Sequence, residues 1–110
     1  MTVTDLSHVR RPVAEAQGLP NAHYIDPALY AEEREALLFR QWAGLAVAAD
    51  VPGRGDAVPI DFLGMPLLLL RDRAGAVRVF MNTCRHRGMI LVSEPRRIEG
   101  AIRCPYHSWC

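Results

Sequence analysis

The apolar positions of the first 24 residues follow no period, Pro12, Gly18 and Pro20 interrupt them, and Arg10 and Arg11 keep the stretch solvated. Residues 1–24 are therefore expected to form a tail. Asp26-Pro27 changes the pattern, because an aspartate can cap a helix and a proline fits its first turn. Glu32, Glu33 and Glu35 are expected toward the positive end of that helix dipole. Tyr30, Leu37, Leu38 and Trp42 fall on one apolar arc, Glu32, Glu33 and Arg40 oppose it, and Gly44 can supply a left-handed residue past the end. One helix is predicted within residues 25–44, ending near Ala43. From residue 45 the period shortens: runs at 45–48, 57–62, 65–71, 77–81 and 98–103, rich in Val, Ile and Leu, are separated by glycine-bearing turns and read as strands. Leu63-Gly64 and residues 72–75 can close antiparallel hairpins, and Glu99-Gly100 is a third candidate turn. The predicted fold is mainly β, a small antiparallel sandwich or barrel over residues 45–110 preceded by one helix.

The 110 residues leave room for one domain, and 50% hydrophobic with 23% charged residues is a globular composition. All 13 basic residues are arginine, and a net charge of +1 provides no single-sign field for nucleic acid or a membrane surface. The longest apolar stretch, residues 65–70, contains a proline and is far short of the ~20 residues of a membrane span. Residues 1–11 lack the apolar centre of a signal peptide, so the expected location is cytoplasmic. Three cysteines are too few for a disulfide scaffold, which leaves metal ligands, nucleophiles or buried hydrophobes.

Two cysteines and two histidines occur in pairs: Cys84-Arg-His86, then seventeen residues, then Cys104-Pro-Tyr-His107. A Cys and a His two or three residues apart on a tight loop can face one centre, and two such loops supply four ligands. Gly88 and Pro105 suit such loops. Four ligands of this kind admit a tetrahedral structural zinc or a 2Fe-2S cluster with two thiolates on one iron and two imidazoles on the other. Zinc sites usually pair Cys with Cys and His with His, so the mixed pairing favours the cluster. His8, His23 and Asp26 could suggest a second iron site, but they lie in or beside the unpatterned tail and are set aside. Cys110 lies outside the spacing and reads as a buried or incidental thiol.

The sequences Cys84-Arg-His86-Arg-Gly88 and Cys104-Pro-Tyr-His107-Ser-Trp109 form a Rieske motif, and residues 24–110 resemble the amino-terminal part of the large (alpha) subunit of Rieske non-haem iron oxygenases. The resemblance implies that Cys84 and Cys104 hold one iron of a [2Fe-2S] cluster and His86 and His107 the other. In the family a reductase or ferredoxin, fed by NAD(P)H, passes electrons to this cluster, which hands them to a mononuclear non-haem Fe(II) where O2 is activated to hydroxylate an organic substrate. That second iron belongs to a catalytic domain expected beyond Cys110, so the chain is read as a truncated or partial oxygenase subunit. Full-length relatives are homo-oligomers, trimer-like and with or without a small subunit. High-potential relatives carry an additional cysteine in each loop; Met89 and Tyr106 stand there. This predicts a potential toward the lower end of the span of roughly −150 to +300 mV. Arg85 and Arg87 are read as either partner contacts or ordinary solvated arginines, and Tyr106 and Trp109 as packing or as a shield for the cluster. Ser108 stands where the family often has glycine. The alternatives are a stand-alone Rieske ferredoxin, which the leading helix and the late position of the motif oppose, and a zinc module of an interaction protein.

Overall fold

The computed structural model describes residues 5–110, in two compact units, one up to Ala43 and one over Gly44–Cys110. In the first unit the Asp26 carboxylate accepts the Ala28 N–H at 2.8 Å and Pro27 opens the helix, as the sequence predicts. A one-turn helix, α1 (Ala22–Ile25), precedes it, so the end of the expected tail is helical. Helix α2 (Pro27–Glu33) widens into a π-turn over Arg34–Leu38, closed by the Phe39 N–H on the Arg34 carbonyl at 3.0 Å.

Three expectations for this segment are corrected. The helix stops at Leu38 rather than near Ala43: the Arg40 and Gln41 N–H groups share the Leu37 carbonyl at 3.0 and 2.9 Å, the kind of forked bond found at helix ends. Gly44 is not among the residues with positive φ, so it is no left-handed cap. Glu32 and Glu33 close α2 instead of opening it, and no acidic residue lies in its first turn. The arc of Tyr30, Leu37, Leu38 and Trp42 is exposed, Trp42 fully. No helix among the described residues is long and apolar enough to cross a membrane.

In the second unit, four antiparallel strands, β1 (Asp56–Phe62), β2 (Met65–Arg71), β3 (Val77–Met81) and β4 (Arg96–Arg97), form one sheet in the order β3-β2-β1-β4. The mainly β antiparallel class predicted from the sequence holds. Leu63-Gly64 turns the first hairpin with φ of 55° and 87°, the doubly left-handed geometry of a two-residue loop. Asp72 closes the second: its N–H reaches the Ala76 carbonyl, its carboxylate accepts the Ala76 N–H, and both bonds measure 2.8 Å. Ala57, Leu68 and Val92 make the buried core, with Leu70, Leu91, Ile98 and Ile102 packed on it. A side chain as buried as Leu68 contributes about 1.5–3 kcal/mol by leaving water.

Two expected strands are absent. Residues 45–48 pair with no strand; their last residue opens a single 3-10 turn, Ala48–Asp50, and the Arg71 guanidinium bonds the Ala48 and Val51 carbonyls at its two ends. Residues 98–103 are likewise not a strand. Pairing with β1 occurs two residues earlier, at Arg96 and Arg97, where the Arg97 guanidinium bonds the Asp56 carboxylate at 3.0 Å and the Ile98 N–H reaches the Gly55 carbonyl at 2.8 Å. Gly100 has a φ of 90° but joins no hairpin.

Candidate metal centre

Both Cys-bearing segments adopt the same backbone frame. In the first loop the Cys84 N–H donates to the Met89 carbonyl at 2.8 Å and the Gly88 N–H to the Cys84 carbonyl at 2.9 Å. In the second the Cys104 N–H donates to the Trp109 carbonyl at 2.7 Å and the Ser108 N–H to the Cys104 carbonyl at 3.0 Å. The fourth residue after each cysteine is left-handed: Gly88 at φ 72° and Ser108 at φ 62°. Glycine adopts this conformation freely and serine at a cost, so the second loop carries strain that the first avoids.

The first loop is stapled to the sheet by Asn82, which follows β3 and is buried. Its Nδ2 donates to the Val92 carbonyl at 2.7 Å and its Oδ1 accepts the Val92 N–H at 2.9 Å, while its own N–H bonds the Pro66 carbonyl at 2.9 Å. A single side chain thereby satisfies both backbone groups of Val92, itself in the core. Ten residues separate the partners, and no pattern in the sequence marks the bond. The equal backbone spacing of the left-handed residues could have been found by laying Cys84–Gly88 against Cys104–Ser108.

The four predicted residues are brought together as two kinds of pair. Cys84 and Cys104 are both buried, and their thiols interact; all three cysteines are free. The Tyr106 amide N–H holds the Cys104 thiol below its usual range, the His107 N–H and the Cys84 thiol act in the same sense, and burial opposes them. The imidazoles of His86 and His107 are exposed, with ring centres 5.0 Å apart and planes at 66°. Trp109 lies flat against His86, centres 4.5 Å apart and planes 6° apart, and Tyr106 sits 3.8 Å from His107. Among the described residues no three His, Cys, Asp or Glu side chains converge as a single ion requires. Cys110 is exposed rather than buried, its Sγ 3.6 Å from the Ser108 carbonyl.

A protein-family model described as the Rieske [2Fe-2S] domain matches residues 41–110. The chain belongs to this Rieske family. It is 32% identical over 95 residues to the carnitine monooxygenase oxygenase subunit of Escherichia coli K12, covering 86% of this chain and 25% of that protein. It is 34% identical over 87 residues to the biphenyl 2,3-dioxygenase subunit alpha of Rhodococcus jostii RHA1, covering 78% of this chain and 19% of that one. Among solved structures, a quaternary ammonium Rieske monooxygenase, described with insights into carnitine oxidation and inter-subunit electron transfer, superposes with a TM-score of 0.77 at 28% identity, over 86% of this chain and 26% of its own. The chain thus spans about a fifth to a quarter of the length of the curated relatives it matches. These relatives are oxygenase subunits and give the free-ferredoxin reading no support.

A Rieske domain binds a [2Fe-2S] cluster, and the donor set of this one fits it. Two soft sulfur donors lie together inside, one of them already biased toward thiolate by amide N–H groups, and two nitrogen donors lie together at the rim.

Proposed function

We propose that Cys84 and Cys104 hold one iron of the cluster and His86 and His107 the other. On this assignment the chain is the electron relay of a Rieske oxygenase. The buried thiol pair beside an exposed imidazole pair carries the reading: sulfur is kept from water while the nitrogen ligands form the edge through which electrons pass. When bound, the cluster takes up and releases one electron at a time, at a potential in the lower part of the Rieske span.

The donor is a reductase or ferredoxin drawing on NAD(P)H. The acceptor is a mononuclear non-haem iron of the oxygenase that uses O2 to hydroxylate an organic substrate. The naming of relatives as monooxygenase and dioxygenase subunits supports both assignments, and the inter-subunit transfer described for a quaternary ammonium Rieske monooxygenase supports a homo-oligomer. Free thiols suit the reducing cytoplasm, where we place the protein. The test is metal and acid-labile sulfide analysis of the parent and of Cys84→Ala. The expected result is a brown parent with two irons and two sulfides per chain, and a colourless variant. Zinc in the parent, or visible absorbance retained by Cys84→Ala, overturns the proposal.

A further inference from the structure

We infer that Trp109 is a positioning residue whose indole fixes the plane of the His86 imidazole across the gap between the two loops. The inference rests on the ligand set proposed above. The stack joins residues of different loops, its ring planes are within 6° of parallel, and its centres are 4.5 Å apart. Such a contact adds to what the iron, once bound, and the His107 ring 5.0 Å away impose on the imidazole. Among the described residues the His86 nitrogens make no hydrogen bond, His86 is exposed, and the terminal torsion of a histidine has broad preferences of its own.

Trp109 is in turn held by its backbone: its carbonyl accepts the Cys104 N–H, one of the two bonds that shape the second loop. The frame that places the Cys104 sulfur therefore also places the surface on which His86 rests. His107 has a different environment, with Tyr106 tilted by 37° over it and the His86 ring 5.0 Å away at 66°. Each imidazole thus has an aromatic neighbour of its own, Trp109 of the opposite loop for His86 and Tyr106 of the same loop for His107, beside the contact between the two rings.

The indole also covers one face of His86 from water. A cluster with two ferric irons, two sulfides, two thiolates and two neutral imidazoles has no net charge, and its one-electron-reduced form is negative. Water stabilises the charged form, so removing the indole raises the potential.

The experiment compares Trp109→Phe, which keeps a flat ring, with Trp109→Leu, which keeps apolar bulk without one, in the cluster-loaded chain. Nitrogen hyperfine couplings of the reduced cluster are read by pulsed electron paramagnetic resonance, together with the reduction potential and the iron content. The phenylalanine variant is expected to keep both histidine couplings. The leucine variant is expected to shift one of the two and to raise the potential at unchanged iron content. Trp109→Met repeats the comparison if the leucine variant does not load. Native couplings and potential in the loaded leucine or methionine variant overturn the role of Trp109 alone. A parent cluster without histidine nitrogen couplings overturns the ligand set itself.

Discussion

Replacing Asn82 tests whether the first loop depends on one polar bridge. In Asn82→Ala both bonds to Val92 are lost, and the N–H and carbonyl of a core residue are left without partners in a site that water does not reach. Each orphaned backbone group costs ~1–3 kcal/mol. Allowing for local relaxation, the expected loss is about 3 kcal/mol, a large share of the ~5–15 kcal/mol by which domains are stable. Asn82→Leu restores side-chain volume but neither bond, so it is expected to lose nearly as much. Denaturation in urea, followed by far-ultraviolet circular dichroism under identical loading, reads the effect. With a slope of ~1–3 kcal/mol per molar, the midpoint should fall by about 1–3 M in both variants. A leucine variant within about 0.5 kcal/mol of the parent would show that volume, not hydrogen bonding, holds the loop, and would refute the reasoning.

The left-handed pair gives a second prediction. Ser108→Gly removes a conformational cost of ~1–2 kcal/mol and adds an unfolded-state entropy of ~0.5–1, so it should stabilise by about 0.5 kcal/mol. Gly88→Ala, where a new Cβ meets nothing within 4 Å, should destabilise by about 1 kcal/mol through conformation alone; thermal melts of both variants check the signs. The acid limb of stability gives a third. The Gly53 N–H, with Arg97, holds the Asp56 carboxyl below its usual range, and Arg78, with the Ala76 N–H, does so for Asp72. A depressed folded pKa contributes stability above the unfolded value and loses it as pH falls through the folded one, that is, below about 4. Asp56→Asn with Asp72→Asn should therefore flatten the decline of stability between about pH 4.5 and 2. An unchanged decline in urea midpoints over that range would contradict it.

The parts of the fold visible in the sequence were those set by local chemistry. Asp26-Pro27 starts its helix because cap and proline act within one turn, and Leu63-Gly64 and the segment closed by Asp72 turn their hairpins. Residues 98–103 were misread because Ile98 and Ile102 supply apolar content without a partner strand. The partner was chosen at a distance, by Arg97 meeting Asp56 and by the register of β1. Trp42 and Gly44 lie beyond the helix end for a similar reason, since a helical wheel assumes one regular period and shows neither the π-turn over Arg34–Leu38 nor the end that follows it. At the site, the Cys and His spacing was legible because ligand chemistry constrains it. Asn82 was not, because a side chain that bridges backbone atoms ten residues away leaves no mark on its neighbours.

The two loops share one hydrogen-bonded frame, yet histidine stands two residues after cysteine in the first and three in the second. The backbone frame thus repeats, and the asymmetry lies in where the histidine stands and in the glycine and serine that take the left-handed position. One imidazole leaves its loop a residue earlier than the other, so two copies of a single template present unlike faces to the space between them. A shift of one position in the histidine is enough to make two loops of like backbone unlike on the side where their imidazoles meet.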